Sequence, residues 1–365
     1  MRIAINTRFL LPHKMEGFGR FTYEVAKRLV ALHPEHEFYF FFDRAFDSKF
    51  VFEKNVIPVV LNPPARHPIL FKIWFNWSVT RALKKYRIDL FFSPDGYLSL
   101  RTDVPQIAVI HDLNFEHFPE DIPLRPRKYL KVNFPLFAKK AKHIITVSEF
   151  SKQDIVDNYN IESEKISVAY NGASPIFKPQ SEQIKNEIKK EHSEGKSYFV
   201  YVGAIHARKN VQRLIEAFKQ FKNKTNSETK LLIVGEATWK TLEIDNNIKD
   251  VLFTGHVEIE KLTQIVGSAK ALCLVSYFEG FGIPLVEAMQ SGVPVLSGNL
   301  TALPEVCGKA GLLVDPYILE EISKGLEQLD SDDSLRSEMI ELGFKQVETF
   351  SWDASVQVIS KVLFP

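Results

Sequence analysis

The sequence predicts an α/β protein of two domains, each built on a parallel sheet covered by helices on both faces. Three observations lead there. The chain has 365 residues, more than the roughly 100–200 of an ordinary domain. Short apolar runs rich in β-branched and aromatic residues alternate with longer stretches of helical period, the trace that strand–helix–strand units leave in a sequence. A turn-rich break, Asn171-Gly172-Ala173-Ser174-Pro175 with Pro179 beyond it, divides that alternation in two.

The elements follow in order. In the first half the strand runs are Ile3–Asn6, Glu37–Phe42, Ile88–Ser93, Ile107–Ile110, His143–Val147 and Ile166–Tyr170. Arg20–Leu32 and Phe150–Asn158 carry helical period between them. After the break comes a Lys/Glu-rich helical stretch up to Gly195, and the scheme restarts at Tyr198–Val202. Lys230–Val234, Val251–Thr254, Ala271–Val275 and Val293–Ser297 continue it, with helices expected at Val211–Lys222, Glu260–Ser268 and Pro284–Ser291. The domains are therefore expected at 1–175 and 176–350, with 351–365 as a final helix.

Composition narrows the class. With 45% hydrophobic and 25% charged residues the chain is ordinary for a soluble globular protein. Two cysteines, Cys273 and Cys307, exclude a disulfide framework. Cys273 lies inside the run Ala271–Val275, where it reads as a small buried hydrophobe, and a reducing, cytoplasmic setting fits. The start, Met1-Arg2-Ile3-Ala4-Ile5-Asn6, reads as a strand rather than a signal peptide. No run approaches the ~18 apolar residues of a membrane span. Charge is uneven: residues 1–178 hold 26 basic and 19 acidic side chains, the remainder 20 and 26. The first half is thus suited to something acidic.

In open α/β sheets ligands bind beyond the carboxyl ends of the strands, so the informative residues are those just after each run. The richest segment is Ser276-Tyr277-Phe278-Glu279-Gly280-Phe281-Gly282-Ile283-Pro284-Leu285-Val286-Glu287. A strand, a glycine-bearing loop and a helix opening near Pro284 make an anion site of backbone N–H groups, suited to a phosphate. Glu279 and Glu287 are placed to straddle such a ligand and accept hydrogen bonds from vicinal hydroxyls. Equally, Glu279 reads as a solvated loop residue and Glu287 as a first-turn acid. A second strand–loop–helix segment carries Arg208 and Lys209, cations able to neutralise a departing diphosphate or simply to lie in water.

In the first half Glu16-Gly17-Phe18-Gly19-Arg20 precedes a helix. Its glycines permit close backbone approach and Arg20 adds charge, although a plain helix-entry turn also fits. It is not a nicotinamide fingerprint, since Thr22 stands where a third glycine is needed. His111 and Asp112 follow the strand Ile107–Ile110; Asp112 also reads as a cap and His111 as a packed histidine. Ser148 reads first as an N-cap. Asp330-Ser331-Asp332 lies between helical stretches and is expected to cap rather than to bind metal. No other spacing of metal ligands, nucleophile elbow or Walker loop stands out.

Together these segments resemble glycosyltransferase family 4, the retaining glycosyl transferases group 1, over nearly the whole chain. The most specific match is Glu279-Gly280-Phe281-Gly282-Ile283-Pro284-Leu285-Val286-Glu287-Ala288-Met289, a pair of glutamates with seven residues between them. Gly292-Val293-Pro294-Val295, Leu303-Pro304-Glu305-Val306, Leu313-Val314-Asp315-Pro316, Arg208-Lys209-Asn210, Gly255-His256-Val257, Ser148-Glu149-Phe150-Ser151 and Asn171-Gly172 follow the same pattern. The resemblance implies the GT-B fold, two Rossmann-like domains facing each other across a cleft. The first would take the acceptor, the second the nucleotide-sugar donor, and the last stretch from Ser351 would cross back to the first.

It also implies roles. Glu279 would hold hydroxyls of the donor sugar and Glu287 the ribose, while Arg208 and Lys209 stabilise the leaving diphosphate. Backbone at Phe281, Gly282 and Ile283 would meet the sugar and β-phosphate, and Gly255, His256 and Val257 would line the base pocket. His111 would lie near the anomeric centre and Gly17 and Gly19 would floor the cleft, with Asp112, Ser148 and Arg20 on the acceptor side or behind it. The expected reaction is metal-independent transfer of a hexose, mannose slightly preferred, with retention by front-face attack and without a cofactor. The donor would be GDP- or UDP-linked and the acceptor a saccharide or lipid-linked saccharide. Two positions depart from the family pattern: Ala204 stands where many relatives carry arginine, and Phe18 splits the glycine pair.

Residues 122–142 hold seven basic and no acidic side chains, interleaved with Tyr129, Phe134 and Phe137, and Phe71-Lys72-Ile73-Trp74-Phe75-Asn76-Trp77 is unusually aromatic. Peripheral contact of 122–142 with anionic lipid at the inner face of the membrane is one expectation. A buried aromatic helix with a solvated basic face is the other. Nucleic acid has no motif behind it. Remaining alternatives are another enzyme of the same fold, such as an epimerase or a phosphorylase, and a sugar-nucleotide-binding protein without catalysis.

Overall fold

The computed structural model describes residues 1–12, 17–236 and 248–364. Glu16 of the amino-terminal turn lies outside the described residues. The chain forms two compact units, one of Met1–Asn171 with Trp352–Pro365, the other of Gly172–Ser351.

The first unit holds a seven-stranded sheet of β1 (Arg2–Asn6), β2 (Glu37–Phe42), β3 (Val56–Val60), β4 (Leu90–Ser93), β5 (Gln106–Val109), β6 (His143–Thr146) and β7 (Ile166–Val168). The strands lie in the order β3-β2-β1-β4-β5-β6-β7 and every pairing is parallel. Because helices cover both faces, interior strands show no polar alternation. The last five residues of β2, Phe38–Phe42, are all buried. The second unit repeats the plan with β8 (Tyr198–Val202), β9 (Lys230–Val234), β10 (Val251–Gly255), β11 (Ala271–Leu274), β12 (Val295–Gly298) and β13 (Gly311–Val314). Their order is β10-β9-β8-β11-β12-β13, again all parallel.

The order reverses between β1 and β4 in one sheet and between β8 and β11 in the other. At such a reversal the connections leave in opposite directions, and a crevice opens beyond the strand ends.

Two strands were not expected from the sequence, and both are edges. β3 contains Pro58, which cannot donate to a ladder and reads as a break; an edge strand tolerates it. β13 is four residues opened by a glycine. Leu124–Lys140 is a helix despite Pro135 within it. The helix expected from Arg20 begins at Phe18, with Gly17 in its N-cap.

The boundaries also shift. The sequence placed the break after residue 175, whereas the first unit ends at Asn171. Gln290 Nε2 donates to the carbonyls of Ser174 (3.0 Å) and Phe177 (2.9 Å), and Phe177 is fully buried, so 174–177 is tied into the second unit. The return segment starts at Trp352 rather than 351. Its helix, Trp352–Leu363, packs along Phe18–Leu32 through the ring pair Phe21–Trp352 and the ion pair Arg28–Asp353 (2.7 Å).

Candidate donor site

The loops leaving β8 and β11 flank the reversal of the second sheet, and they carry the residues singled out from the sequence. A 3-10 turn at Ala207–Lys209 places Arg208 and Lys209 ahead of the helix Val211–Lys224. Tyr277 N donates to Arg208 O (2.8 Å), and the Arg208 guanidinium donates to Phe278 O (2.8 Å), which stitches the two loops together.

Glu279 lies between them and is only 6% exposed. Lys209 Nζ is 2.5 Å from its Oε1, Arg208 Nη1 is 3.3 Å from its Oε2, and Ser276 Oγ donates to Oε1 at 2.7 Å. Burial pushes the Glu279 carboxyl up, but Lys209 and Arg208 outweigh it and hold the group below the usual carboxylate range. A solvated loop residue is therefore excluded. Two cations thus converge on the one Glu279 carboxylate.

Glycine geometry shapes the floor. Gly282, at φ +105°, precedes the helix Ile283–Gln290, and a Cβ there would meet Leu303 Cδ2 at 2.9 Å. Pro284 occupies the first turn, where its missing N–H costs nothing. Glu287 is buried on the second turn of this helix, and Phe281 packs edge-on against Phe350 at 5.3 Å. Gly255 ends β10 and receives a hydrogen bond from Gly235 N (2.9 Å); His256 beyond it is exposed and Val257 half-buried.

Sequence reasoning passed over several supports. A Cβ on Gly235 would stand 2.0 Å from Gly203 O, so the ends of β8 and β9 can meet only through glycine. Asn210, in the left-handed region at φ 58°, donates from Nδ2 to Val275 O (2.9 Å) and Pro316 O (2.8 Å), joining three loops. Thr301 Oγ1 accepts from Glu279 N (3.1 Å). Tyr277 stacks on Tyr317 at 4.6 Å and receives a hydrogen bond from Arg213. An asparagine beside Arg208-Lys209 was visible; its partners, 65 and 106 residues away, were not.

In the first unit His111 follows β5 and donates from Nε2 to Pro94 O (2.8 Å), its ring edge-on to Phe18 and Phe21. Burial pushes its imidazole down, only partly offset by that bond, so it is neutral near pH 7. Phe18, between Gly17 and Gly19, meets His111. Arg20 instead pairs along its own helix with Glu24 (3.6 Å). Asp112 caps a turn by accepting from Asn114 N, and Ser148 caps the helix Glu149–Tyr159 by accepting from Ser151 N. A buried network that the sequence did not disclose lies beside them: Arg8 Nε donates to Asp95 (2.6 Å), and Asn6 donates to Asp95 and Ser93. The Arg8 guanidinium lies 4.4 Å from the Tyr97 ring centroid.

Asp332 caps the helix Asp333–Val347, as expected, and Asp330 pairs with Lys270 (2.6 Å). Cys273 and Cys307 are buried free thiols, both pushed up by burial.

Comparison with known proteins decides the family. Residues 15–175 match the description Glycosyltransferase Family 4, and residues 182–346 match Glycosyl transferases group 1. This chain belongs to that glycosyltransferase family. Its curated relatives include the O-antigen chain mannosyltransferase B of Escherichia coli, 28% identical with 94% of both chains covered. Another is the O-antigen chain mannosyltransferase RfbU of Salmonella typhimurium, 27% identical over 75% of each chain. Among solved structures, HepE of Anabaena in complex with UDP-glucose superposes with a TM-score of 0.75, at 18% identity and 100% and 99% coverage. That likeness establishes the fold of this glycosyltransferase. Its two matched segments coincide with the two units, and Glu279, Glu287, Arg208 and Lys209 all fall in the group 1 segment. Among the described residues no helix is long and apolar enough to cross a membrane.

Proposed function

We propose that this glycosyltransferase moves a hexose, preferably mannose, from a nucleoside-diphosphate sugar to a hydroxyl of a saccharide or lipid-linked saccharide. The observation that carries the reading is the buried Lys209–Glu279–Arg208 group beside the helix Ile283–Gln290. Both named O-antigen relatives are mannosyltransferases, which supports mannose, and GDP over UDP is a slighter preference.

In this reading the diphosphate rests on the loop glycines and the helix amino terminus, with Arg208 and Lys209 beside it. Glu287 takes the ribose and Glu279 the sugar hydroxyls. The bond from the anomeric carbon to the phosphate oxygen breaks toward an oxocarbenium-like state, and its electron pair leaves with the diphosphate. The acceptor oxygen bonds to that carbon on the same face, and its proton passes to a phosphate oxygen, so configuration is retained. Two fixed cations take over the neutralisation that other transferases give to a metal ion. No cofactor enters the scheme.

Calorimetric titration with GDP, UDP and their mannose and glucose conjugates, each with and without EDTA, tests the reading. One nucleotide should bind tightly, with EDTA without effect and Glu287→Ala weakening it. Binding of none would overturn the donor-site assignment, and binding lost in EDTA would overturn metal independence.

The reading extends to a cytoplasmic enzyme working at the inner membrane face. On the helix Leu124–Lys140, Tyr129, Phe134 and Phe137 are buried. Leu124 (72%), Val132 (54%) and Leu136 (45%) stand exposed among Arg125, Lys128, Lys131 and Lys139. Exposed apolar side chains ringed by lysine and arginine suit anionic lipid. Co-sedimentation with phosphatidylglycerol vesicles, weakened by salt and by Lys128→Glu with Lys131→Glu, is expected; its absence, or indifference to salt, would sink this extension.

A further inference from the structure

Away from the loops described above, one four-residue segment of the first unit gathers three metal-ligand side chains, which the sequence reading did not single out. The helix Phe18–Leu32 stops at His33, whose N–H still donates to Leu29 O. Pro34 follows, and His36 N donates to His33 O (3.2 Å), closing a tight turn. The turn brings His33, Glu35 and His36 together, with one ligand atom from each lying within 4.8 Å of the others.

The spacing within that group suits an ion. Glu35 Oε1 is 3.2 Å from His33 Nδ1 and 3.5 Å from His36 Nε2. A tetrahedral zinc bound at about 2.0–2.1 Å holds neighbouring ligand atoms roughly 3.3 Å apart. Two edges already match, and the third pair of ligand atoms lies within 4.8 Å.

Two further features separate this group from an ordinary surface ion pair. Ser360 Oγ lies 2.5 Å from His33 Nε2. With Nε2–H donating to that hydroxyl, Nδ1 presents its lone pair toward Glu35, the tautomer in which His33 can ligate a cation. A partner on the far nitrogen is how metal-bound histidines are oriented. On His36 the far nitrogen, Nδ1, is also engaged, 3.3 Å from the Met1 amino nitrogen. Second, Phe364 lies against both rings, with centroids at 4.2 and 4.6 Å, and the imidazoles are parallel to within 6°. The rings are held in place, each imidazole side chain 18% exposed, while Glu35 at 59% leaves a path from solvent.

We propose that His33, Glu35 and His36 bind a divalent transition-metal cation, zinc foremost, with water completing the coordination. Two imidazole nitrogens and one carboxylate suit zinc rather than magnesium or calcium. The role is structural: Ser360 and Phe364 belong to the returning segment, so an ion that fixes the turn also secures the end of the last helix against the first unit. None of these side chains belongs to the donor site, and the proposal stands whether or not the donor reading does.

The test uses full-length protein, stripped with chelator and freed of any affinity tag. Titration with zinc chloride should show one equivalent bound with a Kd of about 1 μM or tighter, and zinc but not magnesium should raise the Tm. Cobalt(II) should give visible absorption of tetrahedral intensity, a readout that needs no variant. His33→Gln and His36→Gln should each weaken zinc binding by at least about tenfold, and Ser360→Ala by about tenfold through the lost orienting bond. No saturable zinc binding below about 100 μM, or an affinity unchanged in both histidine variants, would overturn the proposal and leave an imidazole–carboxylate ion cluster only.

Discussion

Glu279 shows how much a single residue's meaning depends on its partners. By itself it is a loop glutamate; between Lys209, Arg208 and Ser276 it is a buried charge that stays ionised. Its folded-state pKa is lowered, so it contributes stability that is complete above the unfolded value near 4.5 and lost as pH falls through the lower folded value. Glu279→Gln should therefore flatten the acid limb of stability below about pH 5, measured by urea unfolding across that range. Lys209→Ala removes one of the two cations proposed to meet the leaving group. Its kcat/KM for the sugar nucleotide should fall about 10²–10³-fold, with Lys209→Arg recovering part of the loss. The types and order of these residues were readable in the sequence. That Glu279, 70 residues along the chain, comes within 2.5 Å of the Lys209 ammonium nitrogen was not.

At the scale of elements, the donor loops are held as a set by buried backbone contacts. Asn210 is the clearest case, since its one amide group satisfies carbonyls in the loops after β11 and β13. Asn210→Ala should cost about 1–3 kcal/mol for the stranded carbonyls. A further ~1–2 kcal/mol comes from forcing a non-glycine, non-asparagine residue into the left-handed region. Chemical unfolding measures the sum, and a loss below about 0.5 kcal/mol would show that water replaces the bonds. Element type was legible wherever the hydrophobic pattern was long, as in Glu37–Phe42 or Val211–Lys222. It failed at β3 and β13, where an edge position relaxes the rules that make a strand recognisable and lets Pro58 or an opening glycine into the ladder. The basic stretch 122–142 was read for its charge and, alternatively, as a buried aromatic helix with a solvated basic face; Tyr129, Phe134 and Phe137 do enter the core.

On the scale of the molecule, the last segment leaves the second unit and completes the first. Trp352, Val356, Ile359 and Leu363 are all buried there. At roughly 1.5–3 kcal/mol for each large apolar side chain, their loss is comparable with the whole ~5–15 kcal/mol margin of a domain. A chain ending at residue 351 should therefore melt in two steps, the first unit well below its normal temperature and the second nearly unchanged. Calorimetry with limited proteolysis checks this, and a single unshifted transition would refute it.

The sequence by itself determined the local part of this protein. It set out two α/β halves, most of their strands, and the loops in which chemistry must lie, because apolar period and Gly/Pro punctuation are properties of short windows. The folded chain decided which strands became neighbours across the β1/β4 and β8/β11 reversals. It also decided that the ends of β8 and β9 meet only through Gly203 and Gly235 and that Glu279 would be buried between two cations. Each of these joins residues far apart in the chain, and only packing, which acts on whatever the fold brings close, can choose among such partners.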